Sequence, residues 1–436
     1  MGMLNDFGSI STGHILDIHE KYGSPTYIYD GSAIADRCRR VLSMPNAFGL
    51  TVRYAMKANS NRTLLREITG LGLHIDASSL AEARRAAMAG VSCDKIMLSS
   101  QEIPCGGDMD ALEDMMKDGL LYNVCSLRQL RLIGKFAANN SIALSMRVHP
   151  GVGAGESASR NTGDHYSCFG VHLRDIGAAL EYARGLGLRL TQVHAHIGSG
   201  GDPVMWRENI ERELAILDRH FPDATSISFG GGLKEARMPG EDPADTEALG
   251  QYAAERLSAF YSRTGRKLKM EIEPGTYIIA NAGYALTRVM DKKSTGDNGF
   301  NFVVVNGGME LNARPAMYGS RHPFYVVSRG GELLSSEFGQ ATGDYSAILA
   351  GRCCESGDTQ NVDAGGHSSP RAMAEPEAGD FVVIGGVGAY CSSMAPFNYN
   401  SYSQAPEVLV RQDGSIQLIR RKQELEQIVA NEIIGD

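Results

Sequence analysis

The sequence predicts a parallel (β/α)8 TIM barrel joined to an antiparallel β-barrel or sandwich domain, and three observations predict it. Short β-prone runs alternate with longer segments of helical pattern up to about residue 275. Eight such runs can be read, and eight β–α units in roughly 245 residues is the rhythm of a closed parallel barrel. After Pro274 the alternation stops, and strand-like runs follow one another with little helix between them.

The eight runs are VRYAMK (52–57), LHID (73–76), KIMLSS (95–100), LYNVC (121–125), LSMRV (144–148), VHAHI (193–197), SISF (226–229) and LKMEIE (268–273). Segments such as SLAEARRAAMAG (79–90) and SLRQLRLIGKFAANN (126–140) lie between them. Their apolar residues recur three and four apart, and each opens on a Ser that can cap a helix N-terminus. Beyond the barrel, FNFVVVNGG (300–308), HPFYVVS (322–328) and DFVVIGGVGAY (380–390) read as strands. DKKSTGDNG (291–299) reads as a hairpin turn, 359–380 as a long polar loop, and RKQELEQIVANEII (421–434) as a surface helix. TYIYD (26–30) precedes the barrel and is expected to join the β domain. The predicted organisation is therefore an N-terminal segment over 1–30, a barrel over 31–275 and a β domain over 276–436.

Composition limits the partners. With 43% hydrophobic and 21% charged residues, the chain reads as a soluble globular protein. A net charge of -9 argues against nucleic acid or an anionic membrane as partner. The N-terminus lacks a basic segment followed by an apolar run, and position 6 is Asp where a myristoylation motif wants Ser or Thr, so neither signal peptide nor lipid anchor is expected. No apolar stretch is long enough to span a membrane. The eight cysteines show no metal-ligand spacing, so no metal site is expected and a reducing cytoplasm is the simplest compartment.

Barrel enzymes work at the C-terminal ends of their strands, where the loops surround one mouth. Lys57, Asp76, Ser99, Ser126, Arg147, His196, Gly230 and Glu273 fall at those ends. Any one of them alone is more often structural; a Lys, an Asp, an Arg, a His and a Glu together are not the usual mixture of caps and glycines. A partly desolvated Lys57 can condense with an aldehyde. Glu273 ends the eighth strand, which neighbours the first in a closed barrel, and a carboxylate there can keep a pyridine nitrogen protonated. Gly230, Gly231 and Gly232 follow the seventh strand, where barrels often bind phosphate through backbone N–H groups. Ser199 offers a hydroxyl nearby, His196 can lie flat on a ring, and Gly275 in the EPG turn keeps backbone close. Together these point to pyridoxal 5'-phosphate.

These motifs resemble the alanine-racemase-like pyridoxal-phosphate enzymes, and among them most closely the diaminopimelate decarboxylase family, from about residue 24 to the end. YAMKANSN resembles the cofactor-lysine motif, at Lys57. HAHIGSG resembles the sixth-strand motif, which makes His196 the stacking residue and Ser199 a phosphate contact. SFGGGL is similar to the phosphate glycines, and EIEPG to the ring-nitrogen motif, at Glu273. RPAMYGS implies Arg314 and Tyr318 as substrate residues. RCCESGD implies Cys354 and Glu355 reaching the active site of the other subunit in a homodimer. VGAYCSSM implies Tyr390 as a phosphate and substrate contact. The resemblance implies decarboxylation of meso-diaminopimelate at its D-centre to L-lysine, with Lys57, Cys354, Glu273 and His196 as the catalytic set.

Three positions depart from the family pattern. Thr276 stands where an Arg usually follows EPG, His149 where Asn is usual in R-V-N-P, and Cys168 where Lys is usual before FG. Thr276 touches substrate recognition, and Arg321, seven residues after Arg314, is the residue expected to supply the missing cation. The readings left open are a decarboxylase of another amino acid such as D-lysine, D-ornithine or a siderophore precursor, a racemase of the same fold, and a non-catalytic cofactor carrier. The CESGD motif speaks against the racemase, and intact Lys57, Glu273 and Cys354 speak against the carrier.

Overall fold

A computed structural model of the chain describes residues 7–153, 162–164, 167–198, 201–338, 343–363 and 367–435. It divides into two compact units, Arg37–Glu235 with Asp242–Tyr277, and Met1–Asp36 with Ala236–Glu241 and Ile278–Asp436.

The first strand, β1 (Thr26–Asp30), belongs to the second unit. The next eight are β2 (Leu50–Ala55), β3 (His74–Ala77), β4 (Ile96–Leu98), β5 (Leu121–Val124), β6 (Leu144–Arg147), β7 (Leu190–His194), β8 (Ser226–Ser228) and β9 (Lys269–Ile272). They pair in sequence order, and β2 pairs with β9 in parallel register, Val52 opposite Ile272, which closes the barrel. Each strand overlaps one of the eight runs read from the sequence. The helices between them start as their caps predict. Ser79 accepts the Glu82 N–H at the head of Leu80–Met88, and Ser126 accepts the Gln129 N–H at the head of Leu127–Asn139. Inside the barrel Arg53 donates to Glu271, 2.8 Å across the β2–β9 seam, and Gln192 donates to the same carboxylate. Both ions are buried, so removing either partner strands the other and costs about 3–5 kcal/mol.

The second unit holds the strands β10 (Gly283–Ser294), β11 (Asn301–Val305), β12 (Phe324–Val327), β13 (Leu333–Ser336), β14 (Tyr345–Ala350), β15 (Arg371–Met373), β16 (Phe381–Ile384), β17 (Glu407–Val410) and β18 (Ile416–Arg420). The main path runs β13-β12-β16-β10-β1-β17-β18, with β11, β14 and β15 branching from β10. The sheet is mixed and not purely antiparallel, because β1–β17 and β11–β14 are parallel pairs. Partners so far apart in sequence need no tight hairpin, and a parallel pair can form only that way. The helix Thr12–Tyr22, unforeseen in the sequence, buries Ile15 and Ile18 against Ile28, Leu286, Val383 and Val408 of the sheet.

Three local expectations change. The 291–299 turn is shorter, since β10 runs on to Ser294. The 359–380 loop contains β15, whose backbone pairs with β14. The closing helix is confined to Leu425–Val429, with both of those residues exposed; with no apolar face buried, so short a helix does not propagate.

Candidate active site

Strand β2 ends at Ala55, and the chain turns through Met56–Ala58 in a single 3-10 turn that carries Lys57. The Ala55 N–H donates to the Pro274 carbonyl at 3.2 Å, which ties this turn to the EPG turn after β9. A Cβ at Gly275 would stand 3.2 Å from the Ala58 Cβ and 3.3 Å from the Ala55 carbonyl oxygen, so the approach of the two turns favours glycine there. Lys57 is exposed between buried Met56 and Ala58. The expected desolvation of this lysine by the protein is thus not what the structure shows; its chemistry rests on its position.

Glu273, the residue after β9, is buried, and each carboxylate oxygen has a donor. Ser228 Oγ donates to Oε1 at 2.9 Å, and His194 Nε2 lies 3.0 Å from Oε2. Burial alone would push this carboxyl up. The electrostatic pull and hydrogen bond of His194, with the Ser228 hydroxyl, outweigh it and hold Glu273 down at about 2. Asp76, at the end of β3, meets the opposite fate. It is buried, its Oδ1 has no hydrogen-bond partner, and burial followed by the charge of Glu273 pushes it well up, against the pull of Lys57. Two carboxyls in one barrel mouth are thereby driven apart, Glu273 downward and Asp76 upward.

The sign of the Glu273 shift gives a prediction. A carboxyl held near 2 against an ordinary 4.5 adds stability that is complete above about 4.5 and is lost as the pH falls toward 2. Glu273→Gln should therefore be less stable than wild type at pH 6, and the gap should narrow at pH 3. Urea midpoints at the two pH values measure it; a gap that stays constant or widens in acid contradicts the assignment.

The glycine loop packs directly behind this. Gly230 has φ 67°, and a Cβ there would lie 2.4 Å from the Ala195 carbonyl oxygen and 2.8 Å from His196 Nδ1. At Gly231 it would lie 2.7 Å from the Glu273 carbonyl oxygen, and at Gly232, φ 101°, 3.0 Å from that of Gly198. The loop is packed so closely against its neighbours that none of the three positions has room for a side chain. The Gly231 N–H donates to His196 Nδ1 at 2.9 Å. That amide orients the imidazole, which leaves less of the loop for an anion than the sequence suggested. A ring nitrogen that accepts an amide N–H carries no proton, and burial, then the charges of Lys57 and Arg147, lower His196 well below the usual histidine range. Arg147 is buried beneath the mouth with its guanidinium 4.7 Å from the Phe169 ring centroid. Thr276 is half-buried at the start of the short helix Thr276–Ile279. Ser199 lies outside the described residues.

A second cluster forms within the β unit. Arg314 is buried, and its guanidinium stands 5.6 Å from the Tyr318 ring and 5.9 Å from that of Tyr390. Tyr390 holds φ at 59°, a left-handed conformation that a bulky residue adopts only when its surroundings impose it. Cys354 and Glu355 are exposed, and Tyr399 donates to Glu355 at 3.2 Å. Asp358 braces their loop: its carboxylate accepts from the Cys353 N–H at 2.8 Å and the Met309 N–H at 2.6 Å. A Cβ at Gly308 or Gly351 would clash with that carboxylate. The loops bearing Arg314 and Cys354 are thus pinned to one carboxyl group. Arg321 is exposed, and its charge, after burial, helps draw Arg371 down to about 10 against the pull of Glu337.

Residues 33–280 match the family described as pyridoxal-dependent decarboxylase, pyridoxal binding domain. The chain belongs to the pyridoxal-dependent decarboxylases. This decarboxylase is 33% identical to the diaminopimelate decarboxylase of Escherichia coli K12, over 98% of this chain and 97% of that protein. A crystal structure of diaminopimelate decarboxylase superposes with a TM-score of 0.89 at 31% identity, covering 99% of each chain. A variant of the Helicobacter pylori enzyme complexed with L-lysine gives 0.81 at 26%, covering 95% of this chain and 98% of the other.

Sequence reading of the decarboxylase overlooked His194 and Ser228, which hold Glu273, Asn123, which lies behind His194, and Asp358, which braces the CESGD loop. The signals were present. His194 and His196 are two apart in the VHAHI run, the spacing of one strand face, and Asn123 interrupts an apolar run.

Proposed function

We propose that the chain is a pyridoxal-phosphate-dependent decarboxylase of meso-2,6-diaminopimelate, acting at the D-centre to give L-lysine and carbon dioxide, the last step of lysine biosynthesis. The observation that carries it is full-length likeness to enzymes of that name, joined to a barrel mouth whose residues suit this cofactor. There is an amine at Lys57, an ionised carboxylate at Glu273 with donors on both oxygens, and a glycine loop at Gly230–Gly232 with no room for a side chain.

When bound, pyridoxal phosphate supplies an aldehyde that captures amines and a protonated ring that takes up the electron pair left behind by departing carbon dioxide. Lys57 would hold the aldehyde until the substrate amine replaces it. Glu273 would keep the ring nitrogen protonated, and His196 would lie against the ring. Gly230, Gly231, Gly232, Ser199 and Tyr390 would hold the phosphate, with Asp76 and Gly275 completing the cofactor site. Arg314, Tyr318, Glu355, Tyr390 and Thr276 would read the distal end of the substrate. Cys354 would return a proton to the carbon that lost its carboxylate.

The active unit on this reading is a homodimer that shares Cys354 and Glu355 between subunits. Eight free cysteines suit a reducing cytoplasm, and no helix among the described residues is long and apolar enough to cross a membrane. The experiment is borohydride reduction of the yellow holoenzyme followed by peptide mapping, with carbon dioxide release measured over a panel of diamino acids. The label is expected on Lys57 and the highest turnover on meso-diaminopimelate. A label elsewhere, or turnover by Lys57→Ala, overturns the reading.

Arg321 carries a smaller prediction. With Thr276 in place of an arginine, Arg321→Ala should raise KM for meso-diaminopimelate and leave the cofactor spectrum unchanged, the signature of lost substrate binding. An unchanged KM removes Arg321 from the site.

A further inference from the structure

Behind Glu273 lies a chain of buried polar groups that the roles above do not use. His194 Nε2 is 3.0 Å from Glu273 Oε2, and His194 Nδ1 is 2.8 Å from Asn123 Nδ2. The same Nδ2 is 2.8 Å from Ser99 Oγ. His194, Asn123, Ser228 and Glu273 are all buried, and they come from the ends of β7, β5, β8 and β9. An amide nitrogen is a donor only, so the ring nitrogen it faces must accept. An imidazole that accepts at Nδ1 carries its proton at Nε2, the atom directed at the carboxylate. The opposite amide orientation would put Oδ1 against both Ser99 and His194. It would also place the two N–H bonds of Nδ2 where Asn123 Oδ1 now has no partner, and two stranded donors cost more than one stranded acceptor.

We infer that His194 is a positioning residue for Glu273, and that Asn123 sets the ring tautomer which makes it one. The inference rests on the proposed role of Glu273 opposite the ring nitrogen of the cofactor. With one oxygen held by the Ser228 hydroxyl and the other by His194, the carboxylate can neither rotate nor take its proton from a neighbour. It is left one outward use, to receive a hydrogen bond from a protonated ring nitrogen. Partners of this kind behind a functional group fix both its orientation and its basicity.

The test compares two probes on each variant: pyridoxal phosphate and its 1-deaza analogue, which has carbon in place of the ring nitrogen. Affinities are read by fluorescence quenching on apoenzyme, with no turnover needed. For His194→Phe, affinity for pyridoxal phosphate should fall on the order of tenfold, the loss of one charge-assisted hydrogen bond, while affinity for the deaza analogue stays close to wild type. His194→Gln, which keeps a donor, should recover part of the difference. Asn123→Leu should shift the ratio in the same direction by less, and it carries the test if His194→Phe does not fold. Equal weakening of both probes would make His194 merely structural, and no change in either would remove it altogether. Glu273→Gln is the reference. If it fails to distinguish the probes, the role of Glu273 itself is wrong; if it distinguishes them and the His194 and Asn123 variants do not, only the present inference fails.

Discussion

Mixing Lys57→Ala and Cys354→Ala proteins should restore roughly a quarter of wild-type activity, although each variant alone is nearly inactive. In a two-fold dimer with shared sites, random exchange makes half the molecules hybrids, and each hybrid has one site free of both substitutions. The structure of the β unit motivates the experiment. A thiol that delivers a proton to a carbanion must act away from bulk water, yet Cys354 is exposed. Its loop is nevertheless rigidly held, since Asp358 takes the Cys353 N–H and Asn400 takes the Cys354 N–H at 2.8 Å. Met317, Phe397 and Tyr399 of the same unit are exposed as well. In the proposed dimer, a preorganised loop that presents Cys354 outward would serve the second copy. Verified hybrids without recovered activity would return Cys354 to its own subunit or remove it from the chemistry. Loss of recovery at dilutions that dissociate the dimer would agree with the shared site.

The barrel was legible in the sequence because a parallel barrel writes itself locally. Each strand is a short apolar run, each helix repeats every three to four residues, and Ser79 and Ser126 announce helix starts that the structure keeps. The residues at strand ends could then be read as one mouth, because closure of the barrel is a property of the fold. The β unit was less legible. Its parallel pairs, β1 with β17 and β11 with β14, join segments whose separation leaves no trace in local pattern. The helix Thr12–Tyr22 is marked by a capping box of Ser11 with His14, not the usual Glu or Gln, and so escaped notice. At the barrel mouth, side chains were readable where they fall at strand ends, and passed over where they lie behind another residue. His194 and Asn123 look like ordinary polar interruptions until three-dimensional closure brings His194 to Glu273 and Asn123 to His194. Lys57 was located correctly but its surroundings were not, because exposure depends on what the neighbouring loops leave uncovered.

Arg314→Ala should lower kcat/KM for meso-diaminopimelate by two to three orders of magnitude, mostly through KM, with the cofactor spectrum unchanged. Arg314 is buried in the β unit, and no carboxylate among the described residues pairs with it. Its Nη2 reaches only Ser320 Oγ at 3.3 Å, and its Nε has no acceptor. Two aromatic faces, Tyr318 and Tyr390, stand 5.6 and 5.9 Å from the guanidinium. They flank it and leave most of its donors unspent. A buried cation with free donors in a fixed fork is a receptor for a carboxylate, and removing one partner of such a pair costs roughly 2–5 kcal/mol, which sets the expected size of the loss. Arg314→Lys should recover little of it, because an ammonium cannot make the two parallel bonds of the guanidinium. The decisive control is a substrate without the distal carboxylate. Wild type should turn over D-lysine poorly, and Arg314→Ala should leave that rate unchanged, so the preference between the two substrates should collapse in the variant. If Arg314→Ala impairs both substrates equally, the arginine serves folding or cofactor binding and another cation reads the carboxylate. If wild type prefers D-lysine from the outset, Thr276 marks a change of substrate and the diaminopimelate reading fails with it.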